Sequence, residues 1–379
     1  MAAYPQRHLL AGVPRVEFYK GGPRCPEDIP FPAVMRALTE YLGDRDLGCR
    51  SCRGLEPGCK IPCSYAHFIG VSGVASFLSW KPGWEMDNVE IMYMSDDPAA
   101  PFDRAFEAAG YATDSSGSGA PGQESEESCR SRIMASIQEG KPVLAFGPIG
   151  PPESALVTGY DEGGDVLIGW SFFQDMPEFN AGVEFEPTGE FRKRDWFDYA
   201  PGFSFITIGR KQERPSLAEI YRKALAWMLQ VARTPKTFGD RATGLAAYDA
   251  WADQLLRDEE FPDDEAVLRQ RHDVHNNVVG LVAEARWYGS LFLIEAGTSD
   301  YEKQDFCRTE YLLRAAACYA AEHALMWRLW DLVGGNGNPD AYRRFADPAV
   351  RREMALVIRK AKEKSAQAAE HIEAALAKG

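Results

Sequence analysis

Eight cysteines and six histidines are the side chains of this 379-residue chain best suited to attack a carbonyl or hold a soft metal. Four of the cysteines, Cys49, Cys52, Cys59 and Cys63, fall in "CRSCRGLEPGCKIPC" at C-x2-C-x6-C-x3-C spacing. Four thiolates so placed could close a tetrahedral zinc site and order a loop poor in apolar residues. The second pair departs from the usual x2 knuckle, so free thiols or conditional disulfides stand beside structural zinc as the alternative. An iron–sulfur cluster fits the ligand count alone. A metal with four protein ligands would have no open position and would be structural. Cys25, in "GGPRCPED", is either a nucleophile held near a helix start or a small residue in a turn framed by Pro23 and Pro26. A thiol of that kind needs a base. His67, in "YAHFIG", is the histidine available in the body of the first half, and its apolar neighbours fit a packed, hydrogen-bonded ring better. His272, His275, His323 and His371 lie in the second half near Glu284, Glu310 and Glu322. Facing helices can build metal centres from such residues, but the paired Glu-x-x-His signature is absent, and exposed helical faces explain them more simply.

The elements that must position these groups change character along the chain. "RVEFYK" (15–20) alternates like a strand. Residues 29–42 place Phe31, Val34, Met35, Leu38 and Leu42 at helical spacing, with Pro30 and Pro32 tolerable only in the first turn, Asp28 as cap and Gly43 as stop. "SYAHFIGVSG" reads as a short helix; "VASFLSW" and "NVEIMYM", rich in aromatic and β-branched residues, read as strands. Residues 101–111 look helical, 113–128 are a polar surface loop, and 126–140 have helical character. "PVLAFGPIGPPESALVTGYDEGGDVLIGW" (142–170) reads as three strands, "GVEFEPTGEF" as a hairpin or loop excursion, and "FSFITIG" (203–209) as the last strand. Helices early and strands late make the fold class α+β.

From Leu217 onward the pattern is helical, over Leu217–Arg233, Gly244–Arg257, Glu265–Ala296, Tyr301–Val333 and Pro348–Ala377. Trp287, Tyr288, Phe292, Trp327 and Trp330 fit the core between these helices. The chain thus divides near Pro215 into an α+β domain (1–212) and an all-α helical bundle (213–379), as its length suits.

Composition narrows the function classes. With 45% apolar and 26% charged residues the chain is of ordinary globular type. A formal net charge of −14 speaks against nucleic acid, because phosphate neutralisation needs a clustered basic surface. No apolar run approaches a membrane span, and Met1–Pro14 lacks the order of a signal peptide. The expectation is a cytoplasmic protein with reduced thiols and no membrane partner.

The succession of a helix ending in "YLG", then "GVSG", "GKPVLAFG" and "TGYDEGGDVLIGW", followed by a helical tail, resembles the C39-like peptidase family. It is most similar to the branch typified by the butirosin biosynthesis H protein. The resemblance covers most of residues 14–210 and, more loosely, the tail. It implies a papain-like fold, with a cysteine opening the first helix, a histidine as base and an Asp or Asn orienting it. By the family's spacing the nucleophile position falls on Pro30, the base on Glu153 or Ser154, and the orienting residue on Gly169-Trp170. None can do the family's chemistry. The resemblance therefore implies a cleft that binds a small molecule or peptide segment, lined by Glu153, Ser154, Ser72, Trp80, Tyr160, Trp170 and Phe173. The helical domain would serve as lid or partner surface, with a homodimer formed through it. The alternative is a cysteine-dependent acyl or peptidyl transferase of a biosynthetic pathway, using Cys25 or Cys63 with His67.

Overall fold

A computed structural model describes residues 4–21, 25–44, 47, 64–117, 124–198, 203–299, 306–335 and 337–378, with only the backbone at 116, 117, 306 and 307. Along it run β1 (His8–Leu9), α1 (Pro30–Tyr41), α2 (Ser64–Val71), β2 (Ser79–Trp80), α3 (Ala100–Ala109), β3 (Tyr111–Gly117) and α4 (Glu126–Gln138). Then come β4 (Val143–Phe146), β5 (Ser154–Asp161), β6 (Val166–Trp170), β7 (Val183–Phe185), β8 (Phe191–Arg194) and β9 (Ser204–Lys211). The remainder is α5 (Leu217–Arg233), β10 (Lys236–Thr237), β11 (Arg241–Thr243), α6 (Gly244–Leu255), α7 (Glu265–Thr298), α8 (Phe306–Leu332), α9 (Ala341–Ala346) and α10 (Pro348–Leu376).

These elements gather into two compact units. The first holds the chain up to Leu47, Ser64, Tyr65 and Phe106–Pro215; the second holds Ala66–Ala105 and the chain from Ser216 on. The change at Pro215 coincides with the change in composition. The return of Ala66–Ala105 to the later helices does not show in the sequence pattern, and it makes the second unit discontinuous where a contiguous 213–379 was expected.

In the first unit β5 is the apolar spine. It lies between β4 and β6 in an antiparallel eight-stranded sheet of order β3-β9-β4-β5-β6-β8-β7, with β1 also pairing on β5. Seven of the eight residues of "SALVTGYD" are buried, as expected of a strand covered on both faces. α1 and α4 pack against it. The strands approach so closely that a Cβ on Gly169 would meet the Leu156 carbonyl oxygen at 2.3 Å, and one on Gly159 the His8 carbonyl oxygen at 2.6 Å. Only glycine fits at these two crossings.

α1 starts and stops as the prolines and Gly43 dictate: Pro30 and Pro32 occupy the first turn, and Gly43 takes φ +84° just beyond the C-cap. Asp28 is not the cap. Ile29 stands there, and the Asp28 carboxylate instead accepts the Tyr19 N–H at 2.6 Å.

"RVEFYK" forms no strand. Its side chains fix it instead: Phe18 packs edge-on to Phe172 and Phe173, and Arg15 and Lys20 pair with Asp175. "VASFLSW" and "NVEIMYM" are mostly 3-10 turns, and of them only Ser79–Trp80 joins a ladder, with β11. Their apolar residues are buried by helices, so the composition that suggested strands reflects burial. Conversely, the polar run from Thr113 continues β3 as far as Gly117, paired with β9. β10, β11 and α9 went unforeseen, being too short to show a period.

In the second unit α10 packs on α8, α6 and α5, and α7 on α8, beside the small sheet β10-β11-β2. At its centre lies a buried ion pair. Arg286 on α7 places Nε 3.0 Å from Glu322 Oε1 on α8, an ion-pair contact outside hydrogen-bond geometry. Its Nη1 donates to the Ala75 carbonyl at 2.5 Å and its Nη2 to the Tyr248 hydroxyl at 2.8 Å. The Tyr248 hydroxyl also donates to Glu322, and Ser365 donates to Glu322 Oε2 at 2.7 Å. Tyr319, under the guanidinium, shares a 2.7 Å hydrogen bond with Ser76. Burial opposes the Arg286 charge, but Glu322 holds its pKa above the ordinary value.

Breaking this pair leaves an uncompensated buried charge. Glu322→Ala is expected to cost about 3–5 kcal/mol. The double replacement Arg286→Met, Glu322→Leu should recover most of that loss in urea unfolding; equal losses in both variants would contradict the assignment.

Candidate functional site

The positions to which the resemblance assigns a catalytic triad all lie in the first unit. Position 30 is a buried proline at the first helical residue. Helix starts usually offer free N–H groups that stabilise an anion. Here Pro30 and Pro32 remove two of the first three, leaving Phe31. The Ile29 N–H is engaged by the Tyr65 hydroxyl at 3.1 Å. Beside this helix start stands Asp28, whose pKa burial raises while the Tyr19 N–H works to lower it. Ser154, at the start of β5, is buried opposite Phe146. Gly169 pairs with Val157 and Phe191 and has no room for a side chain.

The expected lining residues are divided between the two units. Glu153, Ser154, Tyr160, Trp170 and Phe173 belong to the first unit, and Ser72, Trp80 and His67 to the second. Tyr160 is core, its hydroxyl accepting from Gln138 Nε2 at 2.6 Å. Ser72 is core as well: its hydroxyl donates to the Phe68 carbonyl at 2.6 Å, and its own carbonyl accepts from Trp227 Nε1 at 2.8 Å. Trp80 stacks on Trp251 with centroids 5.7 Å apart and donates to Gln254 Oε1 at 2.7 Å. These three side chains are spent on structure. Glu153 and Phe173 are half-buried.

Trp170, at the end of β6, differs from them. It is 5% exposed, yet its indole N–H has no hydrogen-bond partner among the described residues. The Arg15 guanidinium lies 5.2 Å from its ring centroid, and Arg15 Nε is likewise buried and without a hydrogen-bond partner. Arg15 Nη2 pairs with Glu17 at 3.0 Å and Asp175 at 3.1 Å. Gly189, at φ +99°, lies against the benzo edge of the indole, where a Cβ would make an ordinary 3.5 Å contact with Trp170. Sequence reasoning placed Trp170 in the groove but missed Arg15, which sits in the stretch misread as a strand.

Cys49, Cys52, Cys59 and Cys63 lie outside the described residues. Cys25 is half-buried. His67 is buried with its ring against Phe68 and Phe292. Among the described residues, no three His, Cys, Asp or Glu side chains are grouped to hold a metal ion, and no helix is long and apolar enough to cross a membrane.

The histidines and carboxylates of the helices do not all face solvent as expected. His275 is core, its ring 4.9 Å from Phe345, and Glu322 is the buried partner of Arg286. The aromatic set divides too. Tyr288 and Phe292 are core, while Trp287 is 38% and Trp327 49% exposed. These two tryptophans flank His323, which lies 2.8 Å from the Ala283 carbonyl through Nδ1 and accepts from Trp327 Nε1 at 2.8 Å. No family model matches the chain, and no curated protein matches it.

His275 provides a test of this buried polar chemistry. Its Nδ1 accepts from Trp251 Nε1 at 3.1 Å, and burial, with His272 nearby, pushes its pKa down to about 3. The folded state therefore keeps the ring neutral while the unfolded chain, with its ordinary value of 6.5, takes up a proton. The contribution is fully present above that value and is lost as pH falls toward the folded one. Between pH 7 and pH 5 the native protein should lose about 2 kcal/mol more than His275→Gln. Parallel losses in urea unfolding at the two pH values would show that His275 is not held neutral.

Proposed function

We propose that the first unit is a papain-like scaffold without thiol chemistry, which binds a peptide segment or small molecule through the oxygen atoms of the ligand. The loss of chemistry is supported at all three expected positions, by Pro30 with its neighbour Pro32, by the buried Ser154 and by the closed space at Gly169. The cysteine-transferase alternative gains nothing from the described residues. The His67 ring packs against Phe68 and Phe292.

The observation that carries the binding reading is the pair of unused buried donors, Trp170 Nε1–H and Arg15 Nε–H, on one ring contact. A buried donor left without an acceptor costs about 1–3 kcal/mol. Two together suit a ligand that brings acceptor oxygens. Glu17 and Asp175 on the same arginine disfavour a further carboxylate. Neutral carbonyl oxygens, which a peptide backbone supplies, fit better than an acid.

Binding can be followed as the thermal stabilisation of the full chain by a panel of N-acetylated, C-amidated tripeptides. At least one should bind the native protein, and Trp170→Phe, which keeps the ring and removes the donor, should weaken it about tenfold, the worth of one buried hydrogen bond. Equal binding by both proteins, or none across the panel, would contradict the proposal.

A further inference from the structure

Between β2 and α3, the segment Met86–Met94 meets the β10–β11 hairpin in a corner whose polar chemistry the fold does not use up. Its anchor is Arg241, buried on β11. Arg241 Nη2 pairs with Asp87 Oδ2 at 2.7 Å. Its Nη1 donates to Asn88 Oδ1 at 3.1 Å, Ser79 Oγ at 3.3 Å and the Asp87 carbonyl at 3.4 Å. The guanidinium lies 4.0 Å over the Tyr93 ring. The arginine is satisfied, and what surrounds it is not. Among the described residues Asp87 Oδ1 is buried without a hydrogen-bond partner, and so is Nδ2 of Asn88, a residue 0% exposed. Glu90 is 7% exposed, and its carboxylate makes no hydrogen bond among the described residues.

Turning the Asn88 amide round does not resolve this. Its Oδ1 already accepts the Lys81 N–H at 2.7 Å as well as Arg241, so a flipped amide would set N–H groups against two donors. With Asp87 and Glu90 ionised against Arg241, the corner carries one net negative charge. The unused groups are thus two carboxylate acceptors and one amide donor, within four consecutive residues. They call for a cation that donates hydrogen bonds and carries an oxygen of its own.

We propose that this corner binds a small primary amine bearing a neighbouring hydroxyl, with the ammonium between Asp87 Oδ1 and the Glu90 carboxylate and the hydroxyl oxygen on Asn88 Nδ2. A metal ion fits less well, since no grouping of three ligating side chains is present among the described residues. The site lies wholly in the second unit and does not depend on the binding assigned to the first. Burial, reinforced by Asp87 and opposed by Arg241, raises the pKa of Glu90 to about 7. Asp87 and Arg241 are the charges acting on it, with the Tyr93 hydroxyl alongside. Glu90 is therefore largely ionised at pH 8 and largely protonated at pH 6, and affinity for a cation follows it.

Titration calorimetry of the full chain with ethanolamine tests the site, with choline, which offers no N–H, as the control cation. Saturable ethanolamine binding is expected at pH 8, about tenfold weaker at pH 6 as Glu90 takes up its proton. It should be at least tenfold weaker in Glu90→Gln at pH 8, with no saturable choline binding. Absence of ethanolamine binding, independence of pH across that range, equal binding of choline, or full binding by a folded Glu90→Gln would each overturn the proposal. Should the variant fail to fold, the pH dependence and the ethanolamine-to-choline comparison on the native protein decide alone.

Discussion

The first unit is governed by how closely β6 lies on β5. At Gly169 the Leu156 carbonyl oxygen occupies the space a side chain would need, and at Gly159 β1 crowds the opposite side of the same strand. Strand spacing that tight lets Val157, Leu156 and Ile168 bury fully and gives α1 and α4 a continuous apolar face to rest on. It also leaves no place for a side chain at Gly169, whatever stands at positions 30 and 154. The proline-rich start of α1 acts in the same direction, since it withholds the backbone donors that hold an anion at a helix end.

The second unit is organised around charge in its interior. Arg286 and Glu322 gain their stability from a closed set of partners: Tyr248 on α6, Ser365 on α10 and the Ala75 carbonyl from the segment between α2 and β2. An arginine in that position needs a carbonyl to take its second arm. Ala75 belongs to Ala66–Ala105, so the stretch is tied to the helices by hydrogen bonds as well as by apolar packing. A pair of this kind is a weak source of net stability and a strong penalty against wrong packing. Arg241 repeats the device nearer the surface, with the difference that its neighbours Asp87, Asn88 and Glu90 keep unused hydrogen-bonding capacity.

Much of the architecture was legible where a period is long or a stop is strong. α5 and the start of α10 lie where the helical period put them, and the three strands of 142–170 are the central strands of the sheet. Legibility ended where burial comes from other parts of the chain. "VASFLSW" and "NVEIMYM" look like strands because they are apolar and aromatic, but helices from the other end of the sequence do the covering. For the same reason Trp80 and Ser72 passed for groove residues and are core. The site residues that went unnoticed, Arg15, Glu90 and Arg241, are single polar side chains in short or irregular segments. What distinguishes them is the absence or presence of a partner far away in sequence, which no local pattern records. Gly169 was identified as a lost position; that the loss is enforced by the Leu156 carbonyl is a fact of strand spacing.

The central claim is that the first unit does no thiol chemistry, and the rate at which the thiols of the unmodified protein react tests it most directly. With a mild alkylating agent such as iodoacetamide at pH 7, each accessible cysteine should be labelled no faster than free cysteine, because the proline-rich start of α1 withholds the backbone donors that would favour a thiolate there. One thiol labelled at least tenfold faster, with the fast phase lost on its replacement by serine, would contradict the account.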